Sequence, residues 1–282
     1  MNRQKSFIDE QPILYLVATP IGNLAELSPR AIEVLNNVDV IAAEDTRNTQ
    51  KLLSHFDIHT KLIAHHQHNE KESANGLLKL LSEGQNIAVV SDAGYPLLSD
   101  PGQTLVNQVI AHGFSVVPIS GANAAINALV ASGISAQPFT FIGFCGSNEK
   151  ERLKLFNELK DYPFTLIFYE APHRIESTLS NMLEVFGNRQ ICLAREITKR
   201  YEEFLRGSIS EILAVASELK GEMVIVLEAA SKEVATLDPS LLKQQIDALV
   251  NEGLSAKDAI KSVAKNHNIS KNDLYNEYHG RN

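Results

Sequence analysis

The chain has 282 residues, 44% of them hydrophobic and 21% charged, with 34 acidic against 26 basic side chains and a formal net charge of −8. That length suggests two domains with room for a small third piece, and the acidic balance excludes a surface that coats nucleic acid indiscriminately. No run approaches the ~18 uninterrupted apolar residues of a membrane span. The opening MNRQKSFIDEQ lacks the apolar stretch of a signal peptide. Only Cys145 and Cys192 occur, each in an apolar stretch, so no disulfide framework is expected and the protein reads as cytoplasmic.

Along the first ~120 residues, short apolar runs alternate with amphipathic segments, which predicts βαβ units around a parallel sheet. The predicted strands are Ile13–Ala18, Val38–Ala43, Lys61–Ala64, Ile87–Ser91 and Ser115–Ile119. Ser28 can cap a helix whose first residue is Pro29. Gly84 and Gly113 stand just past two other helices, where a left-handed residue is wanted.

The strands are followed in turn by TPIGN (Thr19–Asn23), EDTR (Glu44–Arg47), HHQH (His65–His68), DAGYP (Asp92–Pro96) and SGAN (Ser120–Asn123). In a parallel sheet all five emerge at one edge, where ligands of open α/β sheets bind. Ordinary polar loops are the plainer explanation, but turn chemistry alone accounts poorly for five such loops together. They contain neither G-x-G-x-x-G nor the Lys-Ser/Thr pair of a phosphate loop. What they offer is backbone beside small residues: Thr19, Gly22, Ala93, Gly94, Gly121 and Ala122. That surface suits a ligand with an adenine, a carboxylate and a cation. S-adenosylmethionine fits the description, although physical reasoning alone does not single it out.

SDAGYPLLSDPG (Ser91–Gly102), together with LYLVATPIGNL, AAEDTR, VVPISGANAAINAL, FYEAPHR and REITKRYEEFLRG, resembles the ribosomal RNA small-subunit methyltransferases of the tetrapyrrole-methylase superfamily. The resemblance runs from about Pro12 to Glu228. It implies an α/β fold: two α/β domains of the tetrapyrrole-methylase (class III methyltransferase) type with a cofactor cleft between them, at residues 12–121 and 122–230. A small helical, helix-turn-helix-like domain follows at 238–282. It further implies a homodimer that uses S-adenosyl-L-methionine to methylate the 2′-oxygen of a cytidine ribose in the decoding region of 16S rRNA, within the small ribosomal subunit. Relatives acting on porphyrin or corrin precursors carry G-x-G-P-G-D where this chain has TPIGN, which suits the RNA branch.

On this resemblance the cofactor-binding residues are Pro20, Ile21, Ser91, Asp92, Ala93, Gly94, Leu97, Ser120, Gly121, Ala122, Asn123 and Tyr169. Pro20 and Ile21 would be apolar walls, and Asp92 would orient the donor's amino-acid end. In the plainer reading Asp92 tightens its own turn and Leu97 is a core leucine.

Two further predicted strands, Phe164–Tyr169 and Gln190–Ala194, end at FYEAPHR and REITK. Glu170, Arg174, Glu196 and Lys199 are the catalytic candidates, with Glu170 and Arg174 expected nearest the reacting ribose. Glu44, Asp45 and His173 are also possible proton acceptors. Arg47, His173, Arg195 and Arg200 are expected on RNA phosphates. The alternative for Arg195, Glu196 and Lys199 is an ion-pair lattice that holds two strands together. His65, His66 and His68 suggest a metal, but adjacent side chains on an extended segment point apart and no fourth ligand is spaced for it. No metal is expected.

In the tail, Ser231–Asp238 reads as a linker, and LLKQQIDALVNEG as a helix ending at Gly253. SAKD (Ser255–Asp258) and SKND (Ser270–Asp273) have capping-box spacing, with a break expected at Asn266–Asn268. Ala256, Ala259, Ile260 and Val263 form an apolar stripe, while Lys257, Lys261 and Lys265 recur on another face. That row is either a solvated surface or a contact for RNA phosphates. Two rival functions stay open at this point. One is methylation of a tetrapyrrole carbon, and the other a non-catalytic, ligand-sensing regulator that binds DNA through its tail.

Overall fold

The computed structural model describes residues 1, 3–8, 11–65, 70–100, 102–230, 239–267 and 270–279, with backbone alone at 70, 71, 239, 273 and 277. The chain divides into two compact units, residues 1–229 and 230–282.

The first unit begins with five parallel strands: β1 (Ile13–Val17), β2 (Val40–Ala43), β3 (Lys61–Ala64), β4 (Ile87–Val90) and β5 (Ser115–Ile119). Their spatial order is β3-β2-β4-β1-β5. Helices α1 (Pro29–Asn37) and α2 (Thr46–His55) cover one face, and α3 (Glu70–Ser82) and α4 (Gln103–Ala111) the other. Successive strand residues serve opposite cores: Val17, Ile41 and Val90 face α1 and α2, whereas Leu14, Ala42 and Val89 face α3 and α4. Burial on both faces is why β2 and β4, buried throughout, read as continuous apolar runs.

The second strand starts two residues later than its apolar run suggests. Val38 caps α1 instead, giving its N–H to Val34 O at 3.0 Å while its side chain stays buried. Ser28 caps the other end, its Oγ accepting from Ala31 N–H at 3.1 Å.

Helix α5 (Ala124–Ala131) leaves the first sheet at SGAN and packs on a second one. That sheet comprises β6 (Phe139–Phe144), β7 (Thr165–Glu170), β8 (Gln190–Arg195), β9 (Glu203–Ser208) and β10 (Met223–Leu227), in the order β6-β7-β10-β8-β9. Helices α6 (Glu149–Leu159), α7 (Ile175–Phe186) and α8 (Ile209–Leu213) cover its far face. Strand β10 runs antiparallel to both β7 and β8, pairing Met223 with Glu170 on one side and Arg195 on the other. The ends of β7 and β8 therefore share an edge with the start of β10.

The second unit holds α9 (Pro239–Asn251), α10 (Ala256–His267) and α11 (Lys271–Tyr278) around Leu242, Ile246, Ala259, Ile260, Val263, Ala264 and Leu274. Ala256 is only partly buried, so Ala264 takes the place expected for it in the stripe. Ser255 Oγ accepts from Asp258 N–H at 3.2 Å, as SAKD predicts. Asn266 and His267 continue α10 rather than break it, with His267 Nε2 2.7 Å from Gln245 Oε1. Asn268, the 231–238 linker and the side chain of Asp273 lie outside the described residues. Among those described, no helix is long and apolar enough to cross a membrane.

Candidate active site

The loops at the carboxyl edge of the first sheet are tied to one another. Thr19 and Gly94 exchange backbone hydrogen bonds of 2.9 and 3.0 Å, joining TPIGN to DAGYP. Thr19 Oγ1 donates to Ser91 O at 3.1 Å, and Ser91 Oγ to Gly94 O at 3.2 Å. Gly121 N–H donates to the Tyr95 hydroxyl at 3.2 Å, which brings in SGAN. A Cβ on Gly121 would lie 2.8 Å from that of Ala18, so only glycine fits where these loops meet. What TPIGN grips directly is its neighbouring loop.

Between this edge and the second sheet lies a cleft of about 510 Å³, within the range that holds small-molecule ligands. Its first-sheet wall is Ile21, Glu44, Asp92–Tyr95, Leu98–Asp100 and Asn123, and its second-sheet wall includes Phe144, Tyr169–Pro172, Glu196, Ile197, Lys199 and Glu222–Val224. Asn123 also caps α5, accepting from Ile126 N–H at 2.9 Å, so the N-terminus of that helix opens at the cleft.

Carboxylates dominate the first wall. Burial, then the nearby charges of Asp100, Asp92 and Asp45, push Glu44 above the ordinary carboxylate range. Burial lifts Asp100 as well, with Asp92 adding to the rise and a hydrogen bond with Ser91 opposing it. Asp92 accepts from Asn48 Nδ2 at 3.1 Å. A folded-state pKa above the unfolded one favours the folded protein at low pH, and that contribution is lost as pH rises through the folded value. Glu44→Gln and Asp100→Asn should therefore raise the melting temperature of the ligand-free protein at pH 7, by roughly a degree or two given solvent screening. The difference from wild type should vanish near pH ~3, below the ordinary values of 4.5 for Glu44 and 3.8 for Asp100. Calorimetric melts at both pH values check this; a variant that melts lower than wild type at pH 7 counts against the repulsion.

The opposite wall is an ion-pair lattice. Lys199 Nζ sits 3.0 Å from Glu196 Oε1 and 3.8 Å from Glu222 Oε2. Arg195 Nε reaches Glu203 Oε2 at 2.5 Å, and its Nη1 donates to Lys220 O at 3.1 Å. The strand-holding alternative thus describes these side chains as they stand, yet Glu196 and Lys199 still face the cleft.

Glu170, expected nearest the reacting ribose, is held within its own turn. Its side chain is fully buried and its oxygens are engaged: Oε1 by Ala171 N–H at 2.8 Å and by Arg174, Oε2 by Thr178 Oγ1 at 2.6 Å. Arg174 Nη2 lies 2.7 Å away. This carboxylate anchors the β7–α7 turn while its residue still contributes to the lining of the cleft.

Several predicted cofactor residues brace the cleft instead of lining it. Ser120, Gly121 and Ala122 lie outside the lining, and Pro20 and Ser91 line an adjoining pocket of about 220 Å³ with Thr19 and Asn48. Leu97 turns away to pack against Gly102, and Leu98 takes the wall position expected of it. Ile21, Asp92, Ala93, Gly94, Asn123 and Tyr169 are in the lining.

Arg47 is exposed and paired with Asp45 at 3.0 Å. His173 is exposed beside Pro172, and Arg200 lies over the exposed Tyr201 ring at 5.7 Å. Lys257, Lys261 and Lys265 are exposed on α10. His65 is buried, with Nδ1 against Ser73 Oγ, while His66 and His68 lie outside the described residues.

Asp100, Tyr95, Ser99, Phe144 and Glu222 line the cleft without having been singled out from the sequence. Asp100 stands within SDAGYPLLSDPG, so a second acid in that loop was a usable signal. Glu222 precedes an antiparallel strand, which brings a strand beginning to the edge where strand ends were expected.

Residues 13–213 match the family described as Tetrapyrrole (Corrin/Porphyrin) Methylases. The chain is 45% identical over 288 residues to the Bacillus subtilis (strain 168) protein named "Ribosomal RNA small subunit methyltransferase I", with 99% of each chain covered. The protein of the same name from Halalkalibacterium halodurans is 46% identical over 290 residues, again with 99% of each covered. Among solved structures, a diphthine synthase superposes with a TM-score of 0.60 at 10% identity, covering 77% of this chain and 90% of that one. The uroporphyrin-III C-methyltransferase of Thermus thermophilus gives 0.56 at 17%, covering 82% and 99%; at such identities the likeness is one of fold. Sequence and architecture agree: the chain belongs to the tetrapyrrole methylase family, in the branch formed by these small-subunit methyltransferases.

Proposed function

We propose that this protein is an S-adenosylmethionine-dependent methyltransferase of the small ribosomal subunit, acting on the 2′-oxygen of a cytidine ribose in the decoding region of 16S rRNA. The observation that carries the reading is full-length 45% identity to proteins named for methylating small-subunit ribosomal RNA. The cleft supports it with room for a nucleoside-sized donor. Glu44, Asp92 and Asp100 offer negative charge to a sulfonium and an ammonium, and the α5 N-terminus offers N–H groups to a carboxylate. Bound there, the donor supplies an already activated methyl group.

With an activated donor, most of the protein's contribution is positioning. In this reading Lys199 stabilises negative charge developing on the ribose oxygen, and a carboxylate of the first wall accepts its proton; what supports it is that both line the same cleft. Arg174, held by Glu170, keeps its guanidinium at the β7–α7 turn for an RNA phosphate. Cytoplasmic location, homodimeric assembly and operation without a metal belong to the same proposal.

Incubation with donor labelled in the methyl group, and with small subunits from cells lacking this protein, tests the reading. Label should map to one cytidine ribose of 16S rRNA. Label on a base, or on a tetrapyrrole alone, would refute it.

The tail adds a separable expectation. Deleting 237–282 should weaken subunit binding while leaving donor affinity unchanged. Loss of three phosphate contacts, from Lys257, Lys261 and Lys265, should reduce the slope of log affinity against log salt by roughly 2–3. Equal binding by the truncated and full-length proteins across a salt series would contradict it.

A further inference from the structure

Five described residues other than glycine hold a positive φ: Asp57 at 55°, Leu97 at 74°, Ser99 at 73°, Glu196 at 51° and Thr198 at 67°. Asp57 lies just beyond the C-terminus of α2, and aspartate tolerates this region. The other four make two short segments, one from each sheet, and Ser99 and Glu196 line the cleft from opposite sides. A leucine or a branched threonine in this conformation is strained, and it persists only where the surroundings over-determine it.

Each segment reaches across to a glycine in the opposite half. Ser99 Oγ would lie 3.1 Å from a Cβ on Gly143, which sits at the irregularity in β6 between Phe141 and Gly143. In return, a Cβ on Gly22 of TPIGN would lie 2.5 Å from Lys199 Cγ and 3.1 Å from Thr198 Oγ1. Thr198 N–H donates to Glu202 Oε2 at 2.7 Å, Lys199 N–H to Glu196 O at 3.0 Å, and Glu196 N–H to Glu222 O at 3.2 Å. Thr198 Oγ1 is nonetheless buried with no hydrogen-bond partner among the described residues. Strained torsions and an unpaired buried hydroxyl both work against stability, and they coincide where two halves of the cleft touch.

We propose that these two turns are struts that set the width of the cleft, with Thr198 and Ser99 as positioning residues. Thr198 aims Lys199 across the opening onto Gly22, and Ser99 seats the loop from Asp92 to Asp100 against β6. The inference rests on the reading of the cleft as a methyl-donor site.

Thr198→Gly and Ser99→Gly relax the torsion and remove the contact. Asp57→Gly relaxes a torsion of the same kind outside the cleft. Thr198→Asn keeps a side chain of similar size in a residue that accepts left-handed backbone. Donor affinity by calorimetry, steady-state transfer of labelled methyl to small subunits, and thermal melts are compared across the full-length proteins. Thr198→Gly should lower kcat about tenfold with donor KM within about twofold, and Ser99→Gly should raise donor KM about fivefold with kcat within about twofold. Thr198→Asn should recover kcat to within about threefold of wild type, and Asp57→Gly should match wild type.

Wild-type kinetics in both Thr198→Gly and Ser99→Gly would overturn the proposal. If either glycine variant melts more than about 10 °C low, Thr198→Ala and Ser99→Ala, which keep a side chain on the same backbone but remove the hydroxyl that makes the approach, take their place. These must then reproduce the split between kcat and donor KM, and wild-type kinetics in both would overturn it equally. A wild-type protein that takes up no donor would instead refute the site reading on which the struts rest.

Discussion

Glu170→Ala is expected to destabilise the fold by about 3–5 kcal/mol, the cost of breaking a buried ion pair by removing one partner. The change strands the Arg174 guanidinium, the Thr178 hydroxyl and the Ala171 N–H, which all converge on one carboxylate. For a unit of this size the melting temperature should fall on the order of 10 °C. Glu170→Gln keeps the shape but loses the charge, so about 1–3 kcal/mol is expected, the penalty of leaving a donor unsatisfied. Its turnover per folded molecule should stay within about tenfold of wild type, because the residue acts by fixing Arg174. Denaturant unfolding and methyl-transfer rates on the same preparations separate stability from chemistry. A Glu170→Gln protein as stable as wild type but without activity would restore a direct role for this carboxylate.

Lys199→Met should have the largest effect on chemistry. Among the described lining residues Lys199 is the one cation in the cleft, facing Glu44, Asp92 and Asp100 on the opposite wall. Methionine keeps the stem that packs over Gly22 while removing the charge. If the ammonium stabilises the developing oxyanion, kcat should fall about 10²–10³-fold, as when a single oxyanion donor is removed elsewhere. Donor affinity should change little, because the proposed donor contacts lie on the first wall. The lattice reading predicts the reverse, a loss of stability with little change in kcat. Rates and melts of Lys199→Met therefore distinguish the two roles.

How much of this could be read from the chain depended on range. The first sheet was legible because its inner strands β2 and β4 are buried throughout and helix ends are marked by Ser28, Pro29, Gly84 and Gly113. Some local signals read two ways. Val38 looks like strand but serves as a helix cap. Leu97 and Leu98 are equivalent in sequence, and only the positive φ at Leu97 turns one inward against Gly102 and leaves the other at the cleft. Glu170 stands at a strand end as a catalytic acid would, yet its three partners come from a turn and a helix that follow it. Glu222 was hidden by the antiparallel direction of β10. The contacts of Ser99 with Gly143 and of Lys199 with Gly22 join residues far apart in the chain. Periodicity and capping rules carry no information at that range.

If the loops locked together at the first sheet's edge, with the second sheet across the cleft, hold a methyl donor, the protein must bind one in the absence of RNA. Titration of the pure, folded protein with S-adenosylmethionine in a calorimeter tests it most directly. Saturable uptake of one donor per chain is expected, weakened in Asp92→Asn. Absence of any heat of binding from well-folded protein, at donor concentrations up to about 1 mM, would contradict it.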